Sequence, residues 1–136
     1  MPFVVSVDHA STIVHSSWDG TVDVDELVSY IDEVWREPAV KGYNELIDFR
    51  EVSGVEVPSQ AIAEIAAYSR AFDNPDQNAR SAVVAPAGLI YGLSRMFSSM
   101  RALEPQDRRE FQVFEQHAEA VAWLKQSQTS GEQSLT

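Results

Sequence analysis

Two hydrophobic periods alternate along this chain, and that alternation restricts it to one class of fold. Strand residues point alternately to two faces, whereas helical residues share a face every third and fourth position, so a chain that switches between the two builds helices against a sheet. Phe3 to Val7 and Thr12 to Trp18 are short runs of β-branched and aromatic residues separated by Asp8-His9-Ala10-Ser11, the pattern of a hairpin. Asp19-Gly20 is expected to end the second strand. From Val24 the period changes: Val24, Leu27, Val28, Ile31, Val34 and Trp35 fall on one helical stripe. Asp23 and Glu26 have capping-box spacing at its start, and Pro38 closes it.

The same switch recurs three times. Tyr43 to Phe49 reads as a strand ending at Asp48-Phe49-Arg50, and Pro58 stands at the first position of a helix reaching Phe72, with Ile62, Ile65, Ala66 and Phe72 inward. Ala79 to Ala85 is almost wholly apolar, as in a strand central in its sheet. Pro86-Ala87-Gly88 leads into a helix over Leu89 to Leu103 with Leu89, Leu93, Met96, Phe97 and Met100 on one face. Glu110 to Phe114 is a fifth strand and His117 to Lys125 a fourth helix. The polar stretch from Gln126 to Thr136 has no period and is expected to be a disordered tail. The order ββαβαβαβα predicts one α/β domain over residues 1–125. Its single mixed, mostly parallel five-stranded sheet opens with a hairpin, and helices return right-handed to parallel neighbours. If the strands add in sequence order, all helices fall on one face, and the other face needs a cover.

Composition narrows the functions open to such a fold. The chain has 136 residues, enough for one core, and its formal net charge of −11 repels nucleic-acid backbones and anionic lipids. It contains no cysteine, so disulfides, thiolate metal sites and cysteine nucleophiles are excluded. Met1 to Val7 lacks a positive segment and a full signal-peptide core, and no stretch approaches the roughly 18 apolar residues of a membrane span; a cytoplasmic location is expected. His9, His15 and His117 are isolated from metal-ligand spacing, no Gly-x-Ser-x-Gly elbow presents a nucleophile, and Gly88 and Gly92 lack the Lys-Ser/Thr of a phosphate loop. No metal, no cofactor and no enzymatic activity are expected.

Three segments carry a resemblance. Glu45-Leu46-Ile47-Asp48-Phe49-Arg50, then Tyr91-Gly92-Leu93-Ser94-Arg95-Met96-Phe97, then Val113-Phe114-Glu115 with Glu119-Ala120 and Trp123-Leu124 together resemble the SpoIIAA-like family of STAS/SEC14-type domains, over roughly residues 3 to 125. The resemblance implies a STAS-like superhelix of β-α turns. In the anti-sigma-factor antagonists that share this fold, a serine at the start of the helix after the Asp-ended strand is phosphorylated to switch partner binding. The matching segment here, Val52 to Ser59, lacks their Asp-Ser-Ser-Gly pattern; Ser59 stands near the helix start, where free N–H groups would stabilise a phosphate, but a serine there is more often a plain capping residue.

Two places remain as candidate sites. Asp48 ends a strand where open α/β sheets tend to bind ligands, or else accepts N–H groups from its own loop. Between Gln77 and Leu103 there is no acid while Arg80, Arg95 and Arg101 are present. On the flank of that helix Tyr91, Gly92, Arg95 and Ser99 form a candidate interaction surface, arginine and tyrosine being enriched in hot spots; alternatively Gly92 lets the helix pack tightly and Arg95 pairs locally. The sequence thus points to a non-catalytic regulatory or scaffold domain acting by protein contact, first as a homodimer through these cations and the acids of the first helix, and also with an unidentified protein. The alternative is a small carrier for an apolar or lipid-like ligand, with Met96, Phe97, Met100 and Trp123 lining its pocket.

Overall fold

A computed structural model describes residues 2–73, 78–103 and 109–134, with side chains through Gln126. Five strands, β1 (Phe3–Asp8), β2 (Ile13–Asp23), β3 (Asn44–Glu56), β4 (Ala79–Val84) and β5 (Arg109–Phe114), form one sheet in that spatial order. β1 is antiparallel to β2 and the remaining neighbours are parallel. The helices are α1 (Val24–Trp35), α2 (Ala61–Arg70), α3 (Leu89–Ala102) and α4 (His117–Ser134), with a single 3-10 turn at Pro38–Val40. This is the α/β class, with the element order and the mixed, mostly parallel sheet, that the alternating periods predict.

The first helix starts as its sequence requires: the Asp23 side chain accepts the Glu26 N–H at 2.9 Å. Two strands are longer than expected. Asp19-Gly20 does not end β2 but bulges it, with register shifts between Ser17 and Asp19 and between Gly20 and Thr21, and Gly20 takes φ +68°, which glycine adopts without strain. β3 follows the extended β2 as far as the Asp23 and Glu56 pair, so the stretch read as a loop after Phe49 is strand. Gly88, at φ 122° and ψ −150°, makes the sharp entry into α3 that a side chain would oppose.

The helices do not share a face. α1, α2 and α3 pack on one side of the sheet around Val14, Trp18, Val22, Phe49, Val83 and Val113. Alternate residues of the central strands, Leu46, Ala82 and Val84, instead meet Ala120 and Leu124 of α4 on the opposite side. The physical reason is connectivity: α4 follows the last strand and has no further parallel partner to reach, so the right-handed crossover rule does not bind it. It supplies the cover that the second face of β3 to β5 needs. The Arg80 guanidinium lies 4.6 Å from the Trp123 ring centroid and donates to the Trp123 carbonyl at 2.9 Å. α4 also runs beyond Lys125, where the sequence expectation placed the start of a tail; the side chains of residues 127–136 lie outside the described residues.

Near β1 the core is aromatic. Trp18 is 1% exposed and packs at 4.7 to 5.5 Å from Phe3, Tyr30 and Phe49. Beyond Phe3 the edge strand is open, with Val4, Val5 and Val7 all exposed.

The second core makes the last helix testable. Leu124→Ala is expected to cost about 2–5 kcal/mol. Trp123→Ala, at a half-buried position, should cost less than the about 3–5 kcal/mol of a fully buried aromatic. Urea unfolding of the two variants checks the order.

Candidate functional site

Between the helical layer and the sheet lies a partly open cavity of about 110 Å³. Ile47, Val55, Ile65, Val83, Leu93 and Phe97 contribute its apolar wall, and Tyr30, Glu45, Ser69, Asp73 and Arg109 form a polar end. That end lies toward the amino-terminal ends of the parallel strands, since Glu45 is the second residue of β3 and Arg109 the first of β5.

Strand parity explains how charges come to be there. Glu45 alternates with Ile47 and Phe49 on the inner face of β3, and Arg109 shares the inner face of β5 with Phe111 and Val113. Glu45 is 1% exposed. Its carboxylate accepts the Tyr30 hydroxyl at 2.5 Å on one oxygen and the Ser81 hydroxyl at 2.7 Å on the other. Arg109 donates to the same Ser81 oxygen at 2.9 Å and to the Tyr43 carbonyl at 2.8 Å, with its guanidinium 4.2 Å from the Trp35 ring centroid. One serine hydroxyl therefore bridges a buried acid and a half-buried base. Burial pushes the Arg109 guanidinium below its ordinary range, although Glu45 and Asp73 favour its charge. Burial, reinforced by the Glu45 charge, holds the Tyr30 hydroxyl well above the ordinary tyrosine range.

A second pair adjoins the first. Arg101 is 2% exposed, donates to Ser69 Oγ at 2.7 Å and pairs with Asp73, with its guanidinium 4.7 Å from the Phe111 centroid. The acid-free segment is consequently not a positive surface of three arginines: Arg101 is buried, Arg80 lies on Trp123 and bridges Glu110 at 3.4 Å, and Arg95 is exposed. Gly92 and Ser99 are exposed beside Arg95, while Tyr91 is half-buried against the core. A Cβ at Gly92 would meet nothing within 4 Å, so tight helix packing does not explain this glycine.

Other candidate residues are separated from the cavity. Asp48 lies within β3 rather than at its end, on the face opposite the cavity, where β4 pairing stops. It accepts the Arg50 N–H at 3.0 Å and holds the Arg50 guanidinium through both oxygens, 2.7 Å at the shortest. Burial works to raise the Asp48 carboxyl, but the Arg50 hydrogen bonds and charge prevail and lower it. This is the local role read as its alternative. Ser59 is exposed in the turn before α2, whose cap residue Gln60 makes no side-chain cap bond. Trp123 belongs to the α4 core across the sheet and cannot line a pocket with Phe97. Leu89 is 63% exposed, not part of the inner face of α3. Among the described residues no three His, Cys, Asp or Glu side chains cluster as metal ligands.

The polar end predicts a pH dependence. Because the folded pKa of Tyr30 is raised above the unfolded value of about 10, its contribution to stability is complete below pH 10 and is lost as pH rises beyond it. Tyr30→Phe, which leaves one Glu45 oxygen without its donor, should cost about 1–3 kcal/mol at pH 7 and flatten the alkaline loss. Denaturant midpoints at pH 7, 9 and 11 for both proteins test this.

Comparison with known proteins agrees with the architecture. The SpoIIAA-like family profile matches residues 13–125. An uncharacterized protein of the DUF3478 family from Shewanella loihica PV-4, whose crystal structure has a SpoIIAA-like fold, superposes with a TM-score of 0.55 at 16% identity, over 90% of this chain and 93% of that one. A search of curated proteins finds no match. The match spans everything from the second strand of the sheet to the buried part of the last helix, and the chain belongs to the SpoIIAA-like family.

Proposed function

We propose that this domain catalyses no reaction and acts as a regulatory or scaffold module, binding protein through the outer face of α3, with a second copy of the chain as its first partner. The observation that carries the reading is the composition of that face. Leu89 and Leu103, 63% and 77% exposed, flank a line of exposed Gly92, Arg95 and Ser99 at helical spacing, with no acid among them. Scattered exposed leucines are ordinary, but two at the ends of a stripe of small residues make a shallow apolar strip with one cation at its centre.

A second copy has the complement. Asp25, Glu33 and Glu37 are exposed along and just beyond α1. Exposed pairs contribute at most about 1 kcal/mol each and weaken with salt, so the leucines have to contribute the rest. The carrier reading in its lipid-like form has less support: the cavity is well below the roughly 300–1,000 Å³ of drug-sized pockets. Among the described residues no helix is long and apolar enough to cross a membrane, and the proposed setting is the cytoplasm.

Sedimentation velocity tests the contact. The wild type should form a dimer that dissociates more readily at high salt, and Arg95→Glu and Leu103→Asp should both shift it to monomer with unchanged circular dichroism. A wild type that stays monomeric at high concentration, or variants that dimerise as well as the parent, would refute the reading. If only Val5→Lys disperses the dimer, the contact lies on the β1 edge instead.

A further inference from the structure

We infer that the cavity between the sheet and α1 to α3 binds a small apolar monocarboxylate, its hydrocarbon part against the aliphatic and aromatic wall and its carboxylate on the Arg109 guanidinium. This inference stands apart from the α3 contact, because the cavity lies on the inner side of that helix.

The first argument is hydrogen-bond accounting at the polar end. Both Glu45 oxygens already accept hydroxyl donors, and Asp73 is paired with Arg101. Arg109 differs. A guanidinium has five N–H donors, and among the described residues Arg109 uses one on Ser81 and one on the Tyr43 carbonyl, with no described carboxylate within 4 Å. The guanidinium carbon lies over the Trp35 ring, a contact that uses none of the N–H donors already counted. The N–H groups that these contacts leave over on this half-buried cation are available to a ligand, and a carboxylate is the planar acceptor that fits the fork.

The second argument is charge. A cationic ligand would meet Arg109 and, behind it, Arg101. A dianion such as a phosphate monoester would add two negative charges beside Glu45 and Asp73. The two carboxylates already balance the two guanidiniums, so an anion that pairs with Arg109 should add as little charge as it can, and a monoanion does so at less cost than a dianion.

The third is volume. The cavity is somewhat smaller than the engineered apolar cavity of roughly 150 Å³ that admits benzene. A single ring or a short acyl chain fits this room and a long-chain lipid does not. Half-buried Leu27, Trp35 and Phe72 among the lining residues place part of the wall close to the surface.

Isothermal titration with benzoate, hexanoate, benzamide and palmitate, on the wild type and two variants, decides the matter. Benzoate and hexanoate should bind the wild type, and benzamide at least ten-fold more weakly than benzoate. Arg109→Met should remove that preference, so that acid and amide bind alike. Ile47→Phe, which keeps Arg109 and narrows the cavity at a half-buried wall position two residues from Glu45, should abolish binding of both. The inference is overturned if neither acid binds at millimolar concentration, if benzamide matches benzoate, if palmitate binds more tightly than hexanoate, or if Ile47→Phe binds benzoate like the parent. Should Arg109→Met fail to fold, the acid-to-amide ratio in the wild type and the Ile47→Phe result still separate these outcomes.

Discussion

A buried carboxylate and a half-buried guanidinium joined through one serine hydroxyl hold the layers of this domain in register. Glu45 comes from β3, Ser81 from β4, Arg109 from β5 and Tyr30 from α1, so four elements meet at one chain of hydrogen bonds. Such a network is demanding rather than simply stabilising: desolvating each charge costs several kcal/mol, roughly, and only complete pairing offsets it. Its value lies in discrimination. A one-residue slip of β3 would turn Glu45 onto the α4 face, among Leu46, Ala82 and Val84, and leave Arg109 without its nearest countercharge. Competing alignments of an apolar parallel sheet are thereby disfavoured.

The two faces of the sheet are finished by different means. On one, three helices close over a continuous apolar layer that runs from Trp18 to Val113. On the other, α4 covers the central strands alone, fastened by Leu124 in the core and by Arg80 lying over Trp123. Arg80 thus spends its charge on tying the terminal helix to β4, and Arg101 spends its own on Asp73. What remains on the outside of α3 is a single cation between exposed leucines, a face whose contacts depend on shape as much as on charge.

Much of this was legible in the sequence because hydrophobic period reports directly on which element buries which face. The hairpin, the capped first helix, the apolar fourth strand and the parallel order followed from it. Strand ends did not, since Asp19-Gly20 reads as a break unless one knows that β3 runs alongside and lets the bulge continue. The side on which α4 packs was equally hidden, because a terminal helix carries no crossover constraint. The polar end of the cavity was missed for another reason. Asp48 drew attention by its position, while Glu45, three residues earlier and in step with Ile47 and Phe49, carried the stronger signal of an acid pointing inward. An arginine in phase with Phe111 and Val113 gave the matching clue at Arg109. Parity within a strand, applied to charged residues as strictly as to apolar ones, would have found both.

The open edge of β1 has a bearing on how the protein behaves in solution. Phe3 to Val7 contains no charge, proline or bulge, the devices by which exposed strand edges usually avoid pairing with one another. What opposes the pairing of two such edges is the charge of the whole molecule, −11 near neutrality. That protection is borrowed from the medium: it fades as acidity approaches the sequence isoelectric point near 4.5 and as salt shortens the reach of the field. An acidic surface here is therefore part of the colloidal design of the protein, guarding a strand whose single charge, Asp8, stands at its far end.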